Sequence, residues 1–217
     1  MRPVAGPVPA RLVDRYGLDT RWYGRHADAW GLPVLAPHHA GDAVLERVRD
    51  RLGSLLRTHP RTPIAELDRR DVRVVVVPDG EPVTAVPEAA GLPGGPPRGA
   101  TDTFPLIVST ESGFVDGFGH TLHRMALRHI APAVSEELAG ARRAAQRLGR
   151  WLNTRGGGDI DDYFAHGLQI YFDVAGRGPI GGDGVRNHIG GRNALRAYDR
   201  PLHRVLDRLY QGVVLPR

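Results

Sequence analysis

The clearest periodicity in the chain lies over Asp42–Leu56, where Val44, Leu45, Val48, Leu52, Leu55 and Leu56 recur at helical spacing. Gly41 precedes the run and His59-Pro60 follows it as a stop, so the pattern predicts an amphipathic helix. Positions 72–77 form a β-branched run closed by Pro78-Asp79-Gly80, which reads as a buried strand and a turn. Over 81–103 the chain is rich in Pro and Gly, including Pro93-Gly94-Gly95-Pro96-Pro97. Too little chain precedes this stretch to form a second large core, so it predicts a loop inside one domain.

The second half reads as helical. Leu106–Ser109 suits one more strand, and 114–130 a helix ended by Pro132. A second helix is expected over 135–152, capped by Ser135, with Glu136 and Glu137 in its first turn and Arg residues later, as the helix dipole favours. A Gly-rich break at 153–159 leads to a third helix over 161–174, a glycine-dense loop over 176–191 and a last helix over 201–210. The whole, 1–217, is expected to be a single α+β domain, a small β-sheet packed on a mostly helical half.

Composition narrows the chemistry. The 217 residues contain no Cys, and all 29 basic residues are Arg. Disulfides, thiolate nucleophiles, Cys-ligated metals, Schiff-base lysines and a Gly-Lys-Ser/Thr phosphate loop are thereby excluded. Catalysis is left to His, Asp, Glu, Tyr and Arg, with or without a metal. The net charge of +5 comes from arginines spread among acidic residues, without the clustered patch that phosphate neutralisation needs, so no nucleic acid is expected as a partner. No stretch has the apolar length of a signal peptide or membrane span, which points to a cytoplasmic protein without a membrane partner.

Asp116, His120 and His123 stand at i, i+4 and i+7 on the first expected helix and share one face. Asp162 and His166 repeat the i, i+4 spacing on the third, with Gln169 and Asp173 continuing the stripe. Two such faces opposed would enclose one divalent metal ion in imidazole nitrogen and carboxylate oxygen. A third pair, Asp199 and His203, reads as an N-cap before Pro201 and a helical His. Chance supplies about 0.8 such Asp-to-His pairs in a chain of this composition, so spacing alone does not separate ligation from surface pairing.

The stretch Val115-Asp116-Gly117-Phe118-Gly119-His120-Thr121-Leu122-His123 resembles the zinc helix of the anthrax-lethal-factor-like, gluzincin-type metallopeptidases, whose motif reads His-Glu-Phe-x-His. Asp162-Tyr163-Phe164-Ala165-His166 is similar to that family's second helix, Glu-aromatic-aromatic-Ala-Glu, in which the first Glu is the third zinc ligand. Gly31-Leu32-Pro33-Val34, 83–88, Trp151-Asn153-Thr154, Asn187-His188 and Ala197-Tyr198-Asp199 match as well. The resemblance implies a metallopeptidase-like fold with a metal between the two helices.

The departures fall on the chemistry. Asp116 stands at the first motif His, Gly117 at the catalytic Glu, Asp162 at the third ligand and His166 at the second downstream Glu; His120 alone is retained. Glycine moves no proton, and loss of such a base costs about 10²- to 10⁴-fold in rate. Ordinary proteolysis is therefore not expected. The ligand types are exchanged, not deleted: His120, His166 and either Asp116 or Asp162 make the 2-His-1-carboxylate set of a non-haem Fe(II) centre, while both carboxylates together suit Zn or Mn equally.

His123 is a candidate fourth ligand or hydrogen-bond partner, and Tyr198 a candidate proton donor or oxyanion stabiliser. The leading expectation is a repurposed metal-dependent enzyme acting on a small-molecule substrate by oxygen or Lewis-acid chemistry. A zinc hydrolase with Asp116 or Asp162 as substitute base, and a metal-free pseudoenzyme serving as a binding module, are the alternatives.

Overall fold

Val74 and Val76 belong to one buried cluster and Val75 and Val77 to another, as the two-residue period of a strand requires. A strand covered on both faces shows no polar alternation, which is why this run is continuously apolar. The computed structural model describes residues 5–58 and 61–216, Arg61 by its backbone alone. The expected helix stop at His59-Pro60 lies outside the described residues.

Strand β1 (Ala5–Pro7), helix α1 (Ala10–Tyr16) and the hairpin of β2 (Tyr23–Ala29) and β3 (Leu32–Pro37) open the fold. Helices α2 (Asp42–Leu56) and α3 (Arg61–Arg69) cross to β4 (Arg73–Val76), and the Pro/Gly-rich loop leads to β5 (Leu106–Ser109). The sheet runs in the order β1-β2-β3-β4-β5, antiparallel through β3 and parallel from β3 to β5. One face carries Ala27, Leu32, Val34, Val74, Val76 and Ile107 into the helical core. The other is covered by the segment after β4, where Val86 and Ala89 are fully buried.

Helix α4 (Phe114–Thr121) runs on through a π-helical stretch, Leu122–Leu127, into α5 (Arg128–Ile130). Helix α6 spans Pro132–Arg147. Two expectations are corrected here. Pro132 opens this helix as its first residue, where its missing N–H costs nothing, instead of only stopping the one before. Ser135 therefore lies inside the helix and its hydroxyl caps nothing, and the helix ends before Leu148.

Helices α7 (Ile160–Tyr171), α8 (Gly191–Tyr198) and α9 (Arg200–Tyr210) complete the chain, with Asp199 accepting the Leu202 N–H as the cap of α9, as the sequence predicts. The result is an α+β fold with a five-stranded mixed sheet.

Two close approaches place the site. A Cβ on Gly119 would stand 2.8 Å from the Ala165 Cα, so α4 and α7 cross at nearly backbone contact. A Cβ on Gly117 would stand 2.7 Å from Ile107 Cγ2, which seats α4 on β5. Both glycines of α4 are thus explained by neighbours that occupy the space a side chain would take.

Candidate metal centre

The crossing at Gly119 and Ala165 brings His120 of α4 beside Asp162 of α7, with His120 Nε2 lying 3.6 Å from Asp162 Oδ1 and 4.0 Å from Asp116 Oδ1. Asp162 is held by a capping box. Asp159 accepts the Asp162 N–H at 2.8 Å, and Asp162 Oδ2 accepts the Asp159 N–H at 3.2 Å. Its other oxygen accepts from Arg98 Nη1 at 3.0 Å.

His166, one turn beyond Asp162, packs against the edge of the Trp151 indole with centroids 5.7 Å apart. His120 and His166 are each 3% exposed, and no ring nitrogen of either has a hydrogen-bond partner. An unsatisfied buried polar group costs about 1–3 kcal/mol, so these nitrogens are the candidate donors to a bound group.

Burial pushes both imidazoles below the ordinary value, His166 to about 4. The positive charge of Arg124 adds to this at His120, and those of Arg155 and Arg98 at His166. Asp116 and Asp162 act on both rings in the opposite sense, which puts the two carboxylates within electrostatic reach of both imidazoles. Neutral imidazole with a free lone pair is the form that coordinates metal.

Among the described residues no three His, Cys, Asp or Glu side chains converge closely enough to hold an ion as they stand. The donor atoms themselves fit a divalent ion, and the unpartnered nitrogens of His120 and His166 are free for it. The group whose hold must change is Asp162, because Arg98 and the Asp159 N–H occupy its two oxygens.

His123 faces elsewhere. Its Nδ1 lies 2.5 Å from Asp161 Oδ1, its ring packs on Phe164, and its Nε2 is buried without a partner. Tyr198 is not brought to the imidazoles: its hydroxyl accepts the Trp151 N–H at 2.8 Å, and the Trp151 ring has edge contacts with both Tyr198 and His166. Tyr163 is core, donating to the fully buried Asp199, which also accepts from Trp151 Nε1.

Sequence reasoning missed Arg98, Asp161, Arg124 and Trp151 as parts of this region. Asp161 adjoins a predicted ligand and was within reach of helical geometry, whereas nothing local marks Arg98 inside its Pro/Gly-rich loop.

A cavity of about 870 Å³ opens elsewhere, lined among others by Arg51, Tyr171, Phe172, Arg192 and Leu215, and none of the six candidate residues borders it. No helix among the described residues is long and apolar enough to cross a membrane.

Comparison with protein-family models, curated proteins and solved structures finds no match to this chain. The lethal-factor-like reading thus stands on the motif residues alone.

Proposed function

We propose that this chain is a metal-dependent enzyme acting on a small molecule, with one divalent ion held between α4 and α7 by His120 and His166 and by Asp116, Asp162 or both. The observation that carries the reading is the pair of buried imidazoles whose four ring nitrogens have no hydrogen-bond partner, with two carboxylates within 4.0 Å of His120. The fold relationship to lethal-factor-like peptidases belongs to the same proposal.

Iron(II) in a 2-His-1-carboxylate set supplies oxygen chemistry, and zinc or manganese supplies Lewis acidity. The residues of the chain do the rest. Asp161 accepts the Nδ1 hydrogen of His123 and so ties the chain after α4 to α7. Trp151 walls one side of His166 and excludes water from it. Gly117 offers no base, and Ile107 fills the place where one would stand, which counts against proteolysis.

The test is thermal unfolding of the full chain with Fe(II), Mn(II) and Zn(II) added in turn, followed by dioxygen-consumption and peptide-cleavage assays. The reading predicts stabilisation by at least one ion that is lost in His120→Ala and His166→Ala. Dioxygen uptake with Fe(II) would select the oxygenase form, and peptide cleavage with Zn(II) the hydrolase. Absence of stabilisation by every ion would contradict the reading and favour a binding module.

A further inference from the structure

The segment Arg98-Gly99-Ala100 is strapped to α4. The Ala100 N–H donates to Thr121 Oγ1 at 2.7 Å, and that hydroxyl donates to the Gly117 carbonyl at 2.7 Å. Arg124 Nη1 reaches the carbonyls of Arg98 and Ala100 at 3.5 Å each. Gly99, at φ +69°, lies so close that a Cβ would stand 2.5 Å from the Gly117 oxygen and 2.8 Å from His120 Cβ.

This strap fixes the backbone of Arg98 beside His120. From there its Nη1 meets the Asp162 oxygen that itself lies 3.6 Å from His120 Nε2. The side chain is 48% exposed, and apart from Nη1 its guanidinium has no hydrogen-bond or ion-pair partner among the described residues. An arginine with one donor engaged and the rest of its fork open at the edge of a buried site is placed to receive a ligand.

We propose that Arg98 recognises the substrate through a carboxylate or phosphate group, and that Asp162 holds the guanidinium until the metal ion takes that carboxylate. The inference rests on the metal-centre reading above. When Asp162 turns to the ion, Arg98 loses its counter-charge beside a site that has gained two positive charges. A small anion then satisfies both. The planar fork pairs two N–H donors with two oxygens of either group, a match that a point charge does not provide. Arg155, whose charge also acts on His166, has no other side-chain partner among the described residues and adds to the positive field on that side.

The experiment is calorimetric titration of inorganic phosphate and, separately, succinate into the full chain, with metal content measured on the same samples. In metal-free protein, Asp162→Asn should tighten anion binding about fivefold or more by freeing Arg98, and the double variant Asp162→Asn/Arg98→Gln should lose that gain. In metal-loaded protein, Arg98→Gln should weaken anion binding about tenfold at unchanged metal content, the scale of a lost charge-assisted hydrogen bond. The tighter of the two anions assigns the group as phosphate or carboxylate. Equal anion affinity with and without Arg98 in both backgrounds would overturn the inference while leaving the metal centre intact. If wild type takes up no metal, the metal reading fails, and the Asp162→Asn comparison still decides the role of Arg98.

Discussion

His123 donates its Nδ1–H to Asp161 across 2.5 Å and thereby joins the π-helical stretch after α4 to α7. Asp161 also accepts from Arg124 Nε at 2.8 Å, with Arg128 3.7 Å away. Burial by itself would raise this carboxyl, but the hydrogen bonds from His123 and Arg124 outweigh it and hold the group at about 2. The carboxylate fixes the tautomer of His123, so the unpartnered nitrogen is Nε2.

Asp161→Asn should therefore lower stability by about 3 kcal/mol, the scale of breaking a buried charged pair. The carboxyl of Asp161 lies below its ordinary 3.8, so its contribution is fully present above that value and is lost as pH falls through about 2. The loss amounts to roughly 2 kcal/mol. Urea unfolding of both proteins between pH 2 and 6 reads both effects, and equal curves for the variant and wild type would contradict them.

His166 loses stability in the same direction for a different reason, burial that disfavours its charged form. The unfolded chain takes a proton on this ring near 6.5, the folded metal-free protein only near 4. Between these values the unfolded state binds more protons, so stability falls as pH drops, by about 3 kcal/mol in all. His166→Leu should remove most of this slope, and it should stabilise the metal-free protein by filling the same space without unsatisfied nitrogens. Chemical denaturation at pH 7 and pH 5 tests the sign: a variant less stable than wild type at both would show that His166 has partners the structure lacks.

Gly117→Glu should not create a peptidase. Ile107 Cγ2 already stands 2.7 Å from where the Cβ would be, so the new side chain must displace β5 or swing away from the imidazoles. The variant should lose about 1–3 kcal/mol, as overpacked sites do, and Ile107→Ala in the same chain should recover part of it. Zinc-dependent peptide cleavage by the single variant would contradict this.

Gly119→Ala should be at least as costly, because the group met at 2.8 Å is the Ala165 backbone and not a side chain able to rotate. By pushing α4 from α7 it should weaken metal uptake as well as stability. Unchanged uptake would show that the helix crossing does not set the site.

The helices were legible where local signals agreed. Asp42–Leu56 combines a six-residue apolar stripe with a preceding glycine, and the observed helix has those bounds. Strands β1 to β3 gave no such signal. β2 reads Tyr-Gly-Arg-His-Ala-Asp-Ala, without a β-branched residue, and β3 carries Pro33 and Pro37. Their hairpin turns on Trp30 and Gly31, both at positive φ, where an Asn-Gly or Asp-Gly pair would have announced it. Trp30 takes this strained place because its ring packs over Gly53 of α2, a tertiary fact no local window contains.

The candidate site shows the same division. Helical spacing put Asp116 with His120 on one helix face and Asp162 with His166 on another, and the structure brings Asp116 and Asp162 each to within 4.0 Å of His120. Arg98 lies 64 positions from Asp162 and reaches it only through the strap at Gly99, so its role emerged from the fold. Tyr198 shares the aromatic cluster around Trp151 but turns its hydroxyl to backbone, which no spacing rule would reveal.

The most direct measurement of the central claim is elemental analysis of the purified full chain by inductively coupled plasma mass spectrometry, beside His120→Ala and His166→Ala. The account predicts near-stoichiometric iron, zinc or manganese in wild type and its loss in both variants, each of which should remain folded. No bound metal after loading with each ion, or metal retained in both variants, would contradict it.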